Sequence, residues 1–96
     1  MKKEAIIKYL SRFKETSAQK YHIKKIGIFG SAAKDNMYDQ SDIDVVVELG
    51  KQDLFYLIGI KQDLEEQLKQ PIDIISYRKR MNVFLKRRID KEAIYV

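Results

Sequence analysis

Two carboxylates open the β-branched run Asp42-Ile43-Asp44-Val45-Val46-Val47, and a third sits inside Ile72-Asp73-Ile74-Ile75. Runs of Ile and Val this short read as buried strands. Strand side chains alternate faces, so Asp42 and Asp44 point one way while Ile43, Val45 and Val47 point into a core. Asp73 likewise opposes Ile72 and Ile74. Bare carboxylates in such surroundings are costly unless a cation pairs with them. Residues two apart on a strand are separated by roughly 6.5 Å. Acids at that spacing, joined by one from a neighbouring strand, can grip two divalent cations about 3.5–4 Å apart. His22 is the only histidine and there is no cysteine. An all-oxygen ligand set of this kind suits Mg²⁺ or Mn²⁺ rather than zinc.

Ahead of the first acids lies Ile26-Gly27-Ile28-Phe29-Gly30-Ser31, an apolar run that ends in a Gly-Ser turn. A residue without a side chain lets the backbone approach a phosphate closely. Ser31 adds a hydroxyl and an N–H at a helix start, where the dipole favours anions. Lys34 follows one turn later, within reach of the same phosphates. A triphosphate on Gly30-Ser31 and metals on the acids make a working layout for nucleotidyl transfer.

The rest of the chain supplies a frame. Ile6, Ile7, Leu10 and Phe13 have helical spacing from about Lys3 to Thr16, and Ser17 to Lys25 reads as a polar connection. Strands are expected at Lys25–Phe29, Ile43–Leu49 and Ile72–Ser76. Ser31 to Lys34 opens a short helix, and Asp35 to Gln40 is loop-like. Asp53 caps a helix to about Lys69 that buries Leu54, Leu57, Ile58, Leu64 and Leu68, and Pro71 marks its stop. A last helix spans Arg80 to Glu92, with Met81, Phe84, Leu85 and Ile89 on one side. Alternating helices and strands imply an α/β domain with a small mixed sheet, residues 1–96 forming one unit. No run is long enough to span a membrane, and the amphipathic N-terminus differs from a signal peptide. A soluble, cytoplasmic protein is expected. The net charge of +5 favours an anionic partner.

Each motif has a plainer reading. Ser41-x-x-Asp44 loosely matches a capping box, but three valines make a poor helix start. A calcium loop fails for want of its glycine. The runs Arg78-Lys79-Arg80 and Lys86-Arg87-Arg88 are ordinarily solvated faces; a basic nucleic-acid binder is the alternative they leave open.

Gly30-Ser31, ten residues, Asp42-Ile43-Asp44 and the later Asp73 together resemble the signature of the polymerase-β-type nucleotidyltransferases. In compactness the chain is similar to the minimal nucleotidyltransferases, often antitoxins paired with HEPN ribonuclease toxins. The resemblance implies a polymerase-β-like fold with helices mainly on one sheet face. It implies Asp42, Asp44 and Asp73 as catalytic metal ligands, with Asp73 also helping to activate the acceptor hydroxyl. Gly30 and Ser31, with Lys34 and Ser41 beside them, would hold ATP. The implied reaction is Mg²⁺-dependent transfer of AMP to a hydroxyl, chiefly a tyrosine, of a HEPN toxin bound in a hetero-oligomer. With one helix after the third strand, a partner is expected to complete the acceptor site. An antitoxin that neutralises by docking alone is the other reading. Members commonly carry Arg and then Gly where this chain has Lys34 and Asp35; the lysine keeps the charge but loses the bidentate fork, and Asp35 adds a negative charge near the phosphates and loses a flexible position.

Overall fold

A computed structural model describes residues 2–34 and 42–96. Its elements are α1 (Lys3–Tyr21), β1 (Ile23–Phe29), β2 (Ile43–Leu49), α2 (Leu54–Leu68), β3 (Ile72–Ser76), α3 (Val83–Glu92) and β4 (Ile94–Tyr95). The expected loop from Asp35 to Gln40, and Ser41, lie outside the described residues.

The strands form one sheet in the order β3-β2-β1-β4. β2 and β3 run parallel, joined through α2 as a βαβ unit, whereas β1 pairs antiparallel with both β2 and β4. The expected mixed sheet is therefore present. Alternation along the strands sorts its two faces. Ile28, Ile43, Val45, Val47 and Ile72 join Ile6 and Leu10 of α1 and Ile60 and Leu64 of α2 in the main core. The opposite face carries a smaller cluster in which Phe29, Val46 and Ile89 of α3 are buried. Among the described residues, two helices thus cover one face, and α3 lies alone on the other, the face that bears the acids.

Several boundaries differ from the sequence reading. α1 runs on to Tyr21, through the stretch expected to be a polar connection, because Ala18 and Tyr21 prolong its apolar stripe. Tyr21 stacks 6.3 Å from Phe13, and its hydroxyl donates to Asp63 Oδ2 at 2.6 Å. His22, given no role from sequence, ends the helix in the left-handed region at φ 55°, its N–H donating to the Ala18 carbonyl. The short helix expected after Gly30 is, among the described residues, a single turn closed by the Lys34 N–H on the Gly30 carbonyl at 3.2 Å. α3 begins after Asn82, whose side chain accepts from the Leu85 N–H, rather than at Arg80.

α2 keeps its predicted cap: Asp53 Oδ1 accepts from the Phe55 N–H at 2.8 Å. Its buried stripe is Ile60, Leu64 and Leu68, with Leu57 packed against it. Leu54 and Ile58, expected inside, sit on the flank of that stripe and are exposed, as is Phe84 on α3. β4 was not expected at all, being only two residues long. It approaches β1 at Gly27, where any Cβ would meet the Ile94 carbonyl group. Among the described residues no helix is long and apolar enough to cross a membrane.

Candidate active site

Three chain segments converge at one end of the sheet: the end of β1, the start of β2 and the start of β3. Asp44 pairs with Phe29 on one side and with Asp73 on the other. Both aspartates occupy the face opposite the main core, as strand alternation requires. Asp42 precedes β2 by one residue and lies near enough to act on Asp44 electrostatically. The structure therefore brings together the three acids singled out from sequence. Gly30 is next to them, buried, with φ +67°. A side chain there would be strained in any setting. A Cβ would also collide with Asp44 Oδ2 and stand 2.9 Å from Arg88 Nη2. Bare backbone, a carboxylate and a guanidinium thus meet at one point.

α3 supplies the part of the site that sequence reasoning missed. Ile89, fully buried against Phe29 and Val46, fixes the helix on this face. The Tyr77 hydroxyl donates to Asp90 Oδ1 at 2.7 Å and ties it to the end of β3. Arg88 and Glu92, one turn apart, then face the Gly30 turn. Arg88 Nε donates to Glu92 Oε1 at 3.3 Å, and Lys34 Nζ approaches Glu92 Oε2 at 3.4 Å. The Arg88 guanidinium carbon stands 5.5 Å from the Phe29 ring centroid, a cation–π distance. The only hint in the sequence was the i,i+4 pairing of Arg88 with Glu92 on a predicted helix.

The charges interact. Burial pushes the Asp44 carboxyl above the usual carboxylate range, and the charge of Asp73 pushes it the same way. Arg88 pulls it down, and Asp42 and Glu92 add to the rise. For Glu92, burial acts upward, but the hydrogen bonds from Arg88 and Lys34 outweigh it and hold the carboxyl below its ordinary value. The acids at this end of the sheet thus outnumber the described cations facing them. That chemistry suits a hard divalent cation. As the side chains lie, no three carboxylate or imidazole groups among the described residues enclose a common ion position. Asp42 and Asp73 are exposed, so turning their carboxylates toward Asp44 disturbs little packing. The donor set fits such an ion in kind, as hard carboxylate oxygens gathered at one end of the sheet. Ser31 is half-buried at the turn and Lys34 is exposed beside it; Ser41, the other expected nucleotide contact, lies outside the described residues.

Comparison with known proteins bears on the family and the fold. Residues 4–96 match the family described as "Polymerase beta, Nucleotidyltransferase". A Methanocaldococcus jannaschii protein named as a putative protein adenylyltransferase is 38% identical over 78 residues, covering 80% of this chain and 83% of its own. A second from the same organism, named in the same words, is 31% identical over 88 residues, covering 91% and 90%. Among solved structures, one described as a putative minimal nucleotidyltransferase superposes with a TM-score of 0.80 at 24% identity, covering 98% of this chain and 95% of that one. A chain of a toxin–antitoxin complex with AMP-PNP gives a TM-score of 0.72 at 18% identity, covering 88% and 69%. With a shared fold, a family match along nearly its whole length and relatives above 30% identity, the chain belongs to the polymerase-β nucleotidyltransferases.

Proposed function

We propose that this protein is an antitoxin that transfers AMP from ATP to a hydroxyl, chiefly a tyrosine, of a partner HEPN ribonuclease and thereby silences it. The observation that carries the reading is the register of Asp44 beside Asp73, with Asp42 and the bare Gly30 backbone at the same end of the sheet. The relatives' name, protein adenylyltransferase, supports the activity. The partner is supported by a structural neighbour, at a TM-score of 0.58, described as a tri-AMPylated Shewanella oneidensis HEPN toxin in complex with its MNT antitoxin.

In this reading the acceptor oxygen attacks the α-phosphorus of ATP. A new P–O bond forms, the bond to the bridging oxygen breaks, and pyrophosphate leaves. Gly30 and Ser31 present backbone and hydroxyl to the phosphates, with Lys34 and Ser41 as further contacts. Asp42, Asp44 and Asp73 would hold Mg²⁺, which lowers the pKa of a bound hydroxyl and offsets charge on the leaving group. Asp73, exposed on the edge strand β3, would take the proton of the incoming hydroxyl. The three aspartates must be ionised to serve, so burial and mutual repulsion at Asp44 are a cost that bound cations offset. A partner supplies the acceptor, which makes the working unit a hetero-oligomer in the cytoplasm.

The test combines the purified protein, the product of its neighbouring gene, Mg²⁺ and ATP labelled at the α-phosphate. Label should appear on the neighbour and disappear with Asp42→Ala or Asp44→Ala. A stable complex that takes up no label would instead identify an antitoxin acting by docking.

A further inference from the structure

Glu92 lies between two cations, Lys34 from the Gly30 turn and Arg88 from its own helix. Its side chain is only 14% exposed, whereas those of Lys34 and Arg88 are 59% and 51% exposed. An exposed i,i+4 pair on a helix contributes a few tenths of a kcal/mol and needs no second cation. This one is set against Phe29 and the positive-φ Gly30.

The geometry of Arg88 is specific. Its Nε donates to Glu92, and its guanidinium carbon lies 5.5 Å from the Phe29 ring centroid. These two contacts orient the plane and leave the Nη edge over Gly30, where Nη2 lies 2.9 Å from the place of an absent Cβ. An anion resting on the Gly30 backbone meets that edge directly. A planar guanidinium offers parallel donors to phosphate oxygens, which an ammonium such as Lys34 does not. Asp44 lies at this position, and Asp42, Asp73 and Glu92 are near enough to act on it; their charges repel a polyphosphate. A cation held in place by its neighbours answers that repulsion.

We propose, resting on the nucleotidyltransferase reading, that Arg88 grips the polyphosphate chain of the nucleotide over Gly30, and that Glu92 is the carboxylate that orients Arg88 and shares it until the phosphates arrive. Phosphate oxygens then compete with Glu92 for both Arg88 and Lys34, so the strength of the Glu92 pairing sets part of the affinity.

The test is calorimetric titration of the full chain, in Mg²⁺, with α,β-methylene-ATP and separately with adenosine, which has no phosphate. Arg88→Gln should weaken the triphosphate by about ten- to a hundredfold, the loss expected for a charge-assisted hydrogen-bonded pair, and leave adenosine unchanged. Arg88→Lys should recover part of the loss, because the charge returns without the fork. Glu92→Gln should tighten the triphosphate severalfold in the parent and much less in an Arg88→Gln background, whereas relief of simple repulsion would act equally in both. Equal affinity for the triphosphate in the parent and Arg88→Gln would overturn the assignment and leave the enzyme reading standing. A parent chain that binds no triphosphate in Mg²⁺ would overturn both. Thermal melts of each variant separate binding from folding: a triphosphate-to-adenosine preference unchanged in a destabilised Arg88→Gln also refutes the role.

Discussion

Asp44→Asn should make the protein more stable and catalytically dead. Asp44 lies directly opposite Asp73 across the parallel β2–β3 pair, and neighbouring strands are about 4.8 Å apart. Like charges in that position are destabilising. At about 5 Å and an effective dielectric of about 20, their repulsion is about 3 kcal/mol. Solvent reaches the half-buried Asp44 and the exposed Asp73, and screening brings the figure to about 1 kcal/mol. Asparagine keeps the shape and removes the charge. In EDTA at neutral pH the variant should melt about 4–8 °C above the parent, the shift expected for about 1 kcal/mol in a domain of this size. Added Mg²⁺ should raise the parent's melting temperature, by about 1.4 kcal/mol of stability at ten times the dissociation constant, and leave the variant nearly unmoved. The advantage must also depend on pH with a definite sign. The Asp44 carboxyl is raised in the folded state, by burial first and then by Asp73. Stability from such a group is fully present below its unfolded pKa and is lost as pH rises through the higher folded value. The gap between variant and parent should therefore open above the ordinary carboxylate range and close below it. A variant that melts at or below the parent in EDTA, or gains as much from Mg²⁺, would refute this account of the site.

Gly30→Ala should lose about 1–2 kcal/mol in urea unfolding, because alanine is strained at φ +67° and its Cβ meets Asp44; transfer activity should fall further than stability does. Ile89→Ala empties the fully buried anchor of α3 and should cost about 2–4 kcal/mol by the same measurement, with triphosphate affinity falling because Arg88 and Glu92 lose their mount. Tyr21→Phe removes the 2.6 Å hydrogen bond to Asp63 and should cost about 1 kcal/mol without touching nucleotide binding, since it lies on the other face of the sheet.

What the sequence disclosed, and what it withheld, divide along a physical line. Alternation within a strand is local, so Ile43-Asp44-Val45 and Ile72-Asp73-Ile74 told which residues face the core before any fold was known. The Asp53 cap and the β2 and β3 boundaries were legible for the same reason. The pairing of β2 with β3, which sets Asp44 against Asp73, is not local; the sequence suggested it only indirectly, through the need for a third acid from a neighbouring strand to complete a metal site. β4 is too short for any periodicity, and its place depends on Gly27 accepting a backbone at van der Waals distance. The polar stretch after Thr16 misled because its helix is held by Tyr21 stacking on Phe13, a contact that polarity alone does not reveal. Arg88 and Glu92 show the limit most clearly. Read along the chain, they belong to a basic run on an amphipathic helix and look like solvated surface. Only the packing of Ile89 against Phe29 and Val46 turns that face of α3 toward the aspartates, and burial of a neighbour, not any feature of Arg88 itself, makes it part of the site. For a domain with one lone helix over its reactive face, the orientation of that helix decides which charges the substrate meets.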